Sequence, residues 1–304
     1  MQHLIHHINT LDYNFKVVNI EDVDSFTGKM KRITDEFGIT YYLKEKNSEQ
    51  QIKQEFTLMN YLLQQEVNVP CQVQMTDGSY YFIFNNKPYC IYKELPGSSN
   101  GEHYGGNRLE RARQYGAAIY KLHEALKVFP TTDDYDFLDL TAAILDINTL
   151  NKDQFDVPFI TKVQDEIMTH IQQYEKEIPN HLIHRDLHPG NMLYDGEKIT
   201  AYIDFDLAMI GPRLFDPCYL VTSMLISGFS DEKKRENWFE LFKTVMSQYE
   251  FTDVERKIII YILYAIELIF MKFSLEGNRI DMACYNQFVM KWLTEHKNQI
   301  EACL

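Results

Sequence analysis

The chain has 304 residues, with 30 Lys and Arg against 44 Asp and Glu for a net charge of −14, 45% hydrophobic residues and five cysteines. At roughly 150 residues per domain this length predicts about two domains, and the composition excludes a wholly disordered chain. The excess of negative charge excludes nucleic acid and anionic lipid as partners unless basic residues cluster, and the densest early cluster, Lys29, Lys31 and Arg32, is surrounded by Glu21, Asp22, Asp24, Asp35 and Glu36.

In chain order, Met1 to Thr10 carries His3, His6 and His7 but no basic-then-apolar export signal, and reads as an ordinary N-terminal arm rather than a metal site. Phe15 to Ile20, Met30 to Asp35 and Ile39 to Lys46 are rich in β-branched and aromatic residues and predict a three-strand meander. From Ile52 the apolar positions Phe56, Met59, Leu62 and Leu63 recur at helical spacing. With Ser48 and Gln51 as a capping box, they predict a helix over 49 to 66 that stops at Val69-Pro70. Strands are expected at Gln72 to Thr76, Tyr80 to Phe84 and Tyr89 to Lys93.

The breaker-rich stretch Pro96 to Asn107 marks the domain boundary. Beyond it the pattern is mainly helical, at Arg108 to Val128, Phe159 to Glu177, Leu214 to Ser227, Asp231 to Tyr249, Asp253 to Glu276 and Met282 to Glu301, with one β interval from Met192 to Asp204. The apolar run Ile258 to Met271 falls short of the ~20 residues that span a bilayer and reads as a buried helix. Cys71, Cys90, Cys218, Cys284 and Cys303 contain no Cys-x-x-Cys pair. This argues against a disulfide framework or zinc site and, without an export signal, predicts a cytoplasmic location.

Chemistry concentrates in His184-Arg185-Asp186-Leu187-His188-Pro189-Gly190-Asn191, followed by a hairpin and Asp204-Phe205-Asp206. An acid and a carboxamide share one loop, and a second acid follows the hairpin. Asn191 and Asp204 are hard oxygen ligands suited to a magnesium ion that also takes phosphate oxygens, which leaves Asp186 to accept a proton from an attacking hydroxyl. That set of roles is phosphoryl transfer to an alcohol.

These segments resemble the protein-kinase-like fold and, within it, the aminoglycoside phosphotransferase and choline kinase group of small-molecule kinases. His184, Asp186 and Asn191 match the family's His-x-Asp-x-x-x-x-Asn loop, and Ile203 to Asp206 its metal segment. Tyr42-Leu43-Lys44 is similar to the third-strand lysine, Glu55 to its helical partner, Tyr92 to Gly97 to the hinge, and Tyr115-Gly116 through Leu122-His123 to a helix ending in Leu-His. The resemblance covers nearly the whole chain. It implies an α+β bilobal fold, with a small antiparallel-sheet lobe bearing one helix (1–95) and a larger, mainly helical lobe (96–304) that together form a cleft.

The same resemblance implies the roles. ATP would bind through Lys44, held by Glu55, and through the backbone at Lys93, Glu94 and Leu95; Mg2+ would bind Asn191 and Asp204; Asp186 would be the base. Lys44 is preferred to Lys46 because it follows the alternating Tyr42 and Leu43. Asp206 is a possible second metal contact, and His188 a loop histidine near the phosphates. Asp216 is expected to bond catalytic-loop amides and cap the next helix. Tyr261, Tyr264, Phe270 and Phe273 read as core, and Glu267 as half of a buried structural pair.

Two features depart from the pattern. The loop Asp22 to Lys29 has a single glycine, Gly28, and residue 185 is Arg where many small-molecule relatives carry Gly. Arg185 pulls toward a stress-type protein kinase, but the short segment from Asp204 to Asp216 leaves little room for an activation loop and peptide platform. The acceptor is therefore expected to be a small molecule. Residues 1 to 96 carry 9 basic and 12 acidic side chains and the remainder 21 and 32, which favours a cationic acceptor such as an aminoglycoside, a choline-like amino alcohol or homoserine. A nucleotide-binding regulator is the alternative of a different class, although such proteins usually lose a base or metal residue and all are present here.

Overall fold

The computed structural model describes residues 1–23, 29–99, 104–130, 135–144, 146 and 150–304. The core of the expected phosphate-covering loop and the centre of the boundary stretch lie outside these residues. The described chain forms two compact units, Met1–Ser98 with Thr200–Asp206, and Ser99–Ile199 with Leu207–Leu304.

The first unit is a five-stranded antiparallel sheet, in the order β1-β2-β3-β5-β4, with helix α2. Strands β1 (Val17–Asp22), β2 (Met30–Asp35) and β3 (Thr40–Glu45) form the expected meander, and β4 (Phe82–Phe84) and β5 (Lys87–Lys93) follow α2 (Glu49–Gln64). Alternation buries Ile33, Tyr41, Leu43 and Ile91 on one face with Phe15 and Val17. Ser48 caps α2 by accepting from the Gln51 amide at 3.1 Å, while the Gln51 side chain reaches the Asn47 amide instead of closing the box on Ser48.

Two expectations for this unit are corrected. Residues 2–10, expected as an ordinary N-terminal arm, form helix α1 (Gln2–Thr10), which buries Leu4 and Ile8 one turn apart against the sheet. Gln72 to Thr76 is not a strand; Gln72 makes one isolated bridge to Tyr92, and the following amides bond singly to Ile91 and Ser79. The turn at Asp77-Gly78, with Gly78 at φ +88°, draws Met75 toward Ser79 and away from a regular ladder.

The second unit is mainly helical. A two-residue strand β6 (Ser98–Ser99) precedes α3 (Arg108–Lys127), α4 (Leu140–Ala143) and α5 (Val157–Tyr174). Strand β7 (Asn180–Ile183) leads into the loop at 184–191, and β8 (Met192–Asp195) and β9 (Lys198–Tyr202) follow, with the division between units falling inside β9. Strand β10 (Met209–Pro212) pairs antiparallel with β7. The remaining helices are α6 (Phe215–Gly228), α7 (Glu232–Met246), α8 (Asp253–Glu276), α9 (Ile280–Glu295) and α10 (Lys297–Glu301).

Helix α8 is long and apolar enough by length and composition to cross a membrane, and here most of its length is buried among α5, α6 and α9. Thr252 and Glu255 form a full capping box at its start, and buried Glu255 takes a bidentate ion pair from Arg213 at 2.7 and 2.8 Å. At Gly116 an added Cβ would meet the Val245 carbonyl at 2.4 Å, so this glycine lets α3 pack tightly on α7. All five cysteines are free.

Candidate active site

In the first unit, β3 and α2 bring two lysines to three carboxylates. Lys44 donates to Asp204 Oδ1 at 2.7 Å and lies 2.9 Å from Asp206 Oδ2. Lys46, fully buried, lies 2.7 Å from Glu55 Oε2 and 2.5 Å from Asp206 Oδ1. The expected Lys44–Glu55 pair is thus corrected: Glu55 pairs with Lys46, and also accepts from Tyr92 at 2.6 Å and Gln72 at 3.3 Å. The reason is geometric. The Lys46 amide bonds the Pro88 carbonyl and so continues the pairing of β3 with β5, which keeps Lys46 on the same face as Lys44; Lys46, two residues further on, meets Glu55 of α2, while Lys44 meets the more exposed Asp204.

Burial alone would discharge Lys46, but Glu55 and Asp206 more than offset it and hold the ammonium above the usual lysine range. Burial likewise opposes the Asp206 charge, and Lys46 and Lys44 draw its carboxyl down to about 2. Asp206 is therefore the hub of this network.

At the expected adenine contacts, Lys93 ends β5 with its amide on the Cys71 carbonyl, Glu94 accepts from the Tyr42 hydroxyl at 3.2 Å, and Leu95 is partly buried.

In the second unit, the loop after β7 is built on neutral donors. Asp186 Oδ1 accepts from the Tyr219 hydroxyl at 2.5 Å, and the Asn191 amide donates to Asp186 Oδ2 at 3.0 Å and to its backbone carbonyl at 2.9 Å. Burial and the adjoining Asp186 charge keep the Tyr219 phenol protonated, raised well above its usual range, so it remains the donor. His188 Nδ1 accepts from the Gly190 amide at 3.0 Å, and a Cβ at Gly190 would meet that ring at 2.7 Å. His184 is fully buried and its Nδ1 accepts from the Asp186 amide at 3.3 Å.

Asp216 sits beneath this loop. Its two oxygens accept from the His184 and Arg185 amides, each at 2.8 Å, and Oδ2 also meets His123 Nε2 at 2.9 Å. Tyr249, whose phenol is held protonated by burial, bonds the other ring nitrogen of His123, Nδ1. Burial works against the Asp216 charge, and these donors hold it below the usual carboxylate range. Asp216 lies inside the first turn of α6 rather than at its N-cap, which is Leu214 with no side-chain cap; the expected capping role is corrected.

Asn191 spends its amide hydrogens on Asp186, which leaves its side-chain carbonyl oxygen as the atom a metal could take. Asp204 supplies a carboxylate. Each, in its own unit, carries a hard oxygen of the kind a divalent ion takes. Among the described residues no three His, Cys, Asp or Glu side chains form a metal-binding group.

Tyr219 was absent from the sequence reading. Its signal was present, because three residues beyond Asp216 on one helix places both on one face. Phe273 is half exposed and so is not the core residue expected, Phe270 is partly buried with its ring 5.2 Å from that of Tyr219, and Tyr261 and Tyr264 are buried. Glu267 also differs: its partner is the amide of Asn286 at 2.9 Å rather than a basic group, and burial raises its carboxyl to about 8.

Residues 25–242 match the family model described as the phosphotransferase enzyme family. A homoserine kinase of Zymomonas mobilis is 23% identical over 237 residues, covering 77% of this chain and 72% of the relative. Among solved structures, an amicoumacin kinase in complex with AMP-PNP, Ca2+ and Ami superposes with a TM-score of 0.73 at 18% identity, covering 99% of this chain and 93% of that one. A microcompartment-associated aminopropanol kinase gives a TM-score of 0.69 at 15% identity, covering 99% and 98%. The fold is the α+β bilobal protein-kinase-like fold of small-molecule kinases. The chain belongs to the phosphotransferase enzyme family and is a kinase that phosphorylates hydroxyls of small molecules.

Proposed function

We propose that this kinase moves the γ-phosphoryl group of MgATP to the hydroxyl of a small amino alcohol, with homoserine-like and aminopropanol-like compounds ahead of aminoglycosides. The observation that carries the reading is the Asp186 carboxylate, held in place by Tyr219 and Asn191 on the His184–Asn191 loop. The nucleotide-bound kinase structure and the homoserine kinase relative support the choice of donor and acceptor class, and the negative charge of residues 97 to 304 supports an acceptor bearing an ammonium.

In this reading Asp186 orients the acceptor hydroxyl and takes its proton as the acceptor oxygen bonds to the γ-phosphorus and the bond to the β–γ bridging oxygen breaks, releasing ADP. Lys44 and Lys46 lie within reach of exchanging carboxylate for phosphate oxygens, with Glu55 holding Lys46, and the backbone at Lys93 to Leu95 binds the adenine. Asn191 and Asp204 would hold magnesium, which neutralises charge on the phosphates when bound.

The test is incubation of the protein with γ-labelled ATP and a panel of homoserine, aminopropanol, ethanolamine, choline and aminoglycosides. Label in a small amino alcohol is expected. Label in protein alone would replace the reading with a protein kinase, and label only in aminoglycosides would correct the acceptor class.

A further inference from the structure

Arg185, next to the proposed base, holds φ +68°, a left-handed conformation that glycine adopts freely and an arginine adopts at a cost. Its backbone explains part of this, since the Arg185 amide donates to Asp216 Oδ1 at 2.8 Å. A glycine would make that bond equally well, so the bond does not explain the side chain.

The guanidinium is partly buried, and burial lowers its proton affinity while the neighbouring Tyr219 and Asp186 support its charge. Five N–H donors thus stand in a partly desolvated place beside the reacting centre. Among the described residues no carboxylate or carbonyl closes a hydrogen bond or ion pair on them. Asp186, the carboxylate that supports the guanidinium charge, is engaged by Tyr219 on Oδ1 and Asn191 on Oδ2.

We propose that Arg185 is the anion-recognition residue of the acceptor site, and that the acceptor carries a carboxylate as well as the hydroxyl that is phosphorylated. A planar guanidinium takes a carboxylate through two parallel N–H bonds, which fixes both distance and orientation of the acceptor. With Asp186 taking the hydroxyl proton from the adjoining position, the site selects a hydroxy acid of short reach. The acidic surroundings then favour the zwitterion, a hydroxy amino acid, over an acceptor that is anionic overall. This inference rests on the small-molecule kinase reading above and narrows it.

The test uses matched acceptors that differ only by the carboxylate: homoserine with 3-aminopropan-1-ol, and threonine with 1-aminopropan-2-ol. Wild-type protein is expected to favour the acid of at least one pair by about 10- to 100-fold in kcat/KM, the range of a charge-assisted bidentate contact. Arg185→Gly suits the backbone conformation and keeps the amide bond to Asp216, and is expected to abolish that preference while leaving the KM for ATP unchanged. Arg185→Lys should recover only part of it, since an ammonium does not make the bidentate contact.

Equal use of both members of each pair by the wild type would overturn the inference, as would an Arg185→Gly protein that keeps the preference or shows instead a raised KM for ATP, which would assign the anion to the nucleotide. If no acceptor is phosphorylated, the kinase reading itself fails. The Arg185 inference is then judged by thermal shift with the same pairs: stabilisation by the acids that is lost in Arg185→Gly upholds it, and equal or no stabilisation rejects it.

Discussion

The two units hold their functional carboxylates by opposite means. In the first, Asp204, Asp206 and Glu55 are matched by the ammonium groups of Lys44 and Lys46. In the second, Asp186 and Asp216 are held by a phenol, an amide, an imidazole and two backbone N–H groups. Ion pairs suit groups that must exchange partners, because an incoming phosphate or metal ion replaces one charge with another. Neutral donors suit a carboxylate that must stay charged and aimed without being neutralised, as a base must. Glu267 is the limiting case: with only Asn286 to donate, it is buried by keeping its own proton.

The comparison breaks most severely at Lys46. Lys46→Met strands buried Glu55 without its counter-charge, leaves Asp206 with Lys44 alone, and is expected to cost about 3–5 kcal/mol in urea unfolding. Lys44→Met, at a pair whose Asp204 side chain is 42% exposed, should cost under about 1 kcal/mol of stability, which makes the two lysines separable.

Glu267→Gln sharpens the contrast through pH. The Glu267 carboxyl is raised from 4.5 to about 8 on folding, so its contribution is fully present below pH 4.5 and is lost as pH rises through about 8. Wild-type stability should therefore fall relative to the variant by about 1.4 kcal/mol per pH unit across that window, read from unfolding curves at several pH values. A difference that stays flat with pH would show that Glu267 is ionised in the folded protein.

Smaller effects are expected in the neutral relay. Tyr219→Phe removes the donor to Asp186 Oδ1 and should lower kcat about tenfold with nucleotide affinity unchanged. Tyr249→Phe removes one link behind Asp216 and should cost about 1 kcal/mol of stability. A larger loss of nucleotide binding than of turnover in Tyr219→Phe would contradict the division of labour between the units.

Much of this was legible in the sequence because it is local. The loop from His184 to Asn191 is one contiguous motif, and α8 runs from Asp253 to Glu276 as its apolar pattern predicts. What was not legible depends on partners far away in the chain. Lys44 and Lys46 are two residues apart on one strand face, and only the packing of α2 against the sheet decides which meets Glu55. Asn286 lies on a different helix from Glu267, so the substitution of an amide for the expected cation is a property of packing. The helix at Gln2–Thr10 was readable from Leu4 and Ile8, but the histidines between them obscured the period.

The central claim is that Asp186 is the base of phosphoryl transfer to a small-molecule hydroxyl. The most direct measurement is single-turnover transfer from MgATP by Asp186→Asn, with nucleotide affinity determined on the same protein. Asparagine keeps the size of the side chain but cannot take the proton, so transfer is expected to fall by about 10²- to 10⁴-fold while ATP binds as in the wild type. Transfer at the wild-type rate would contradict the account.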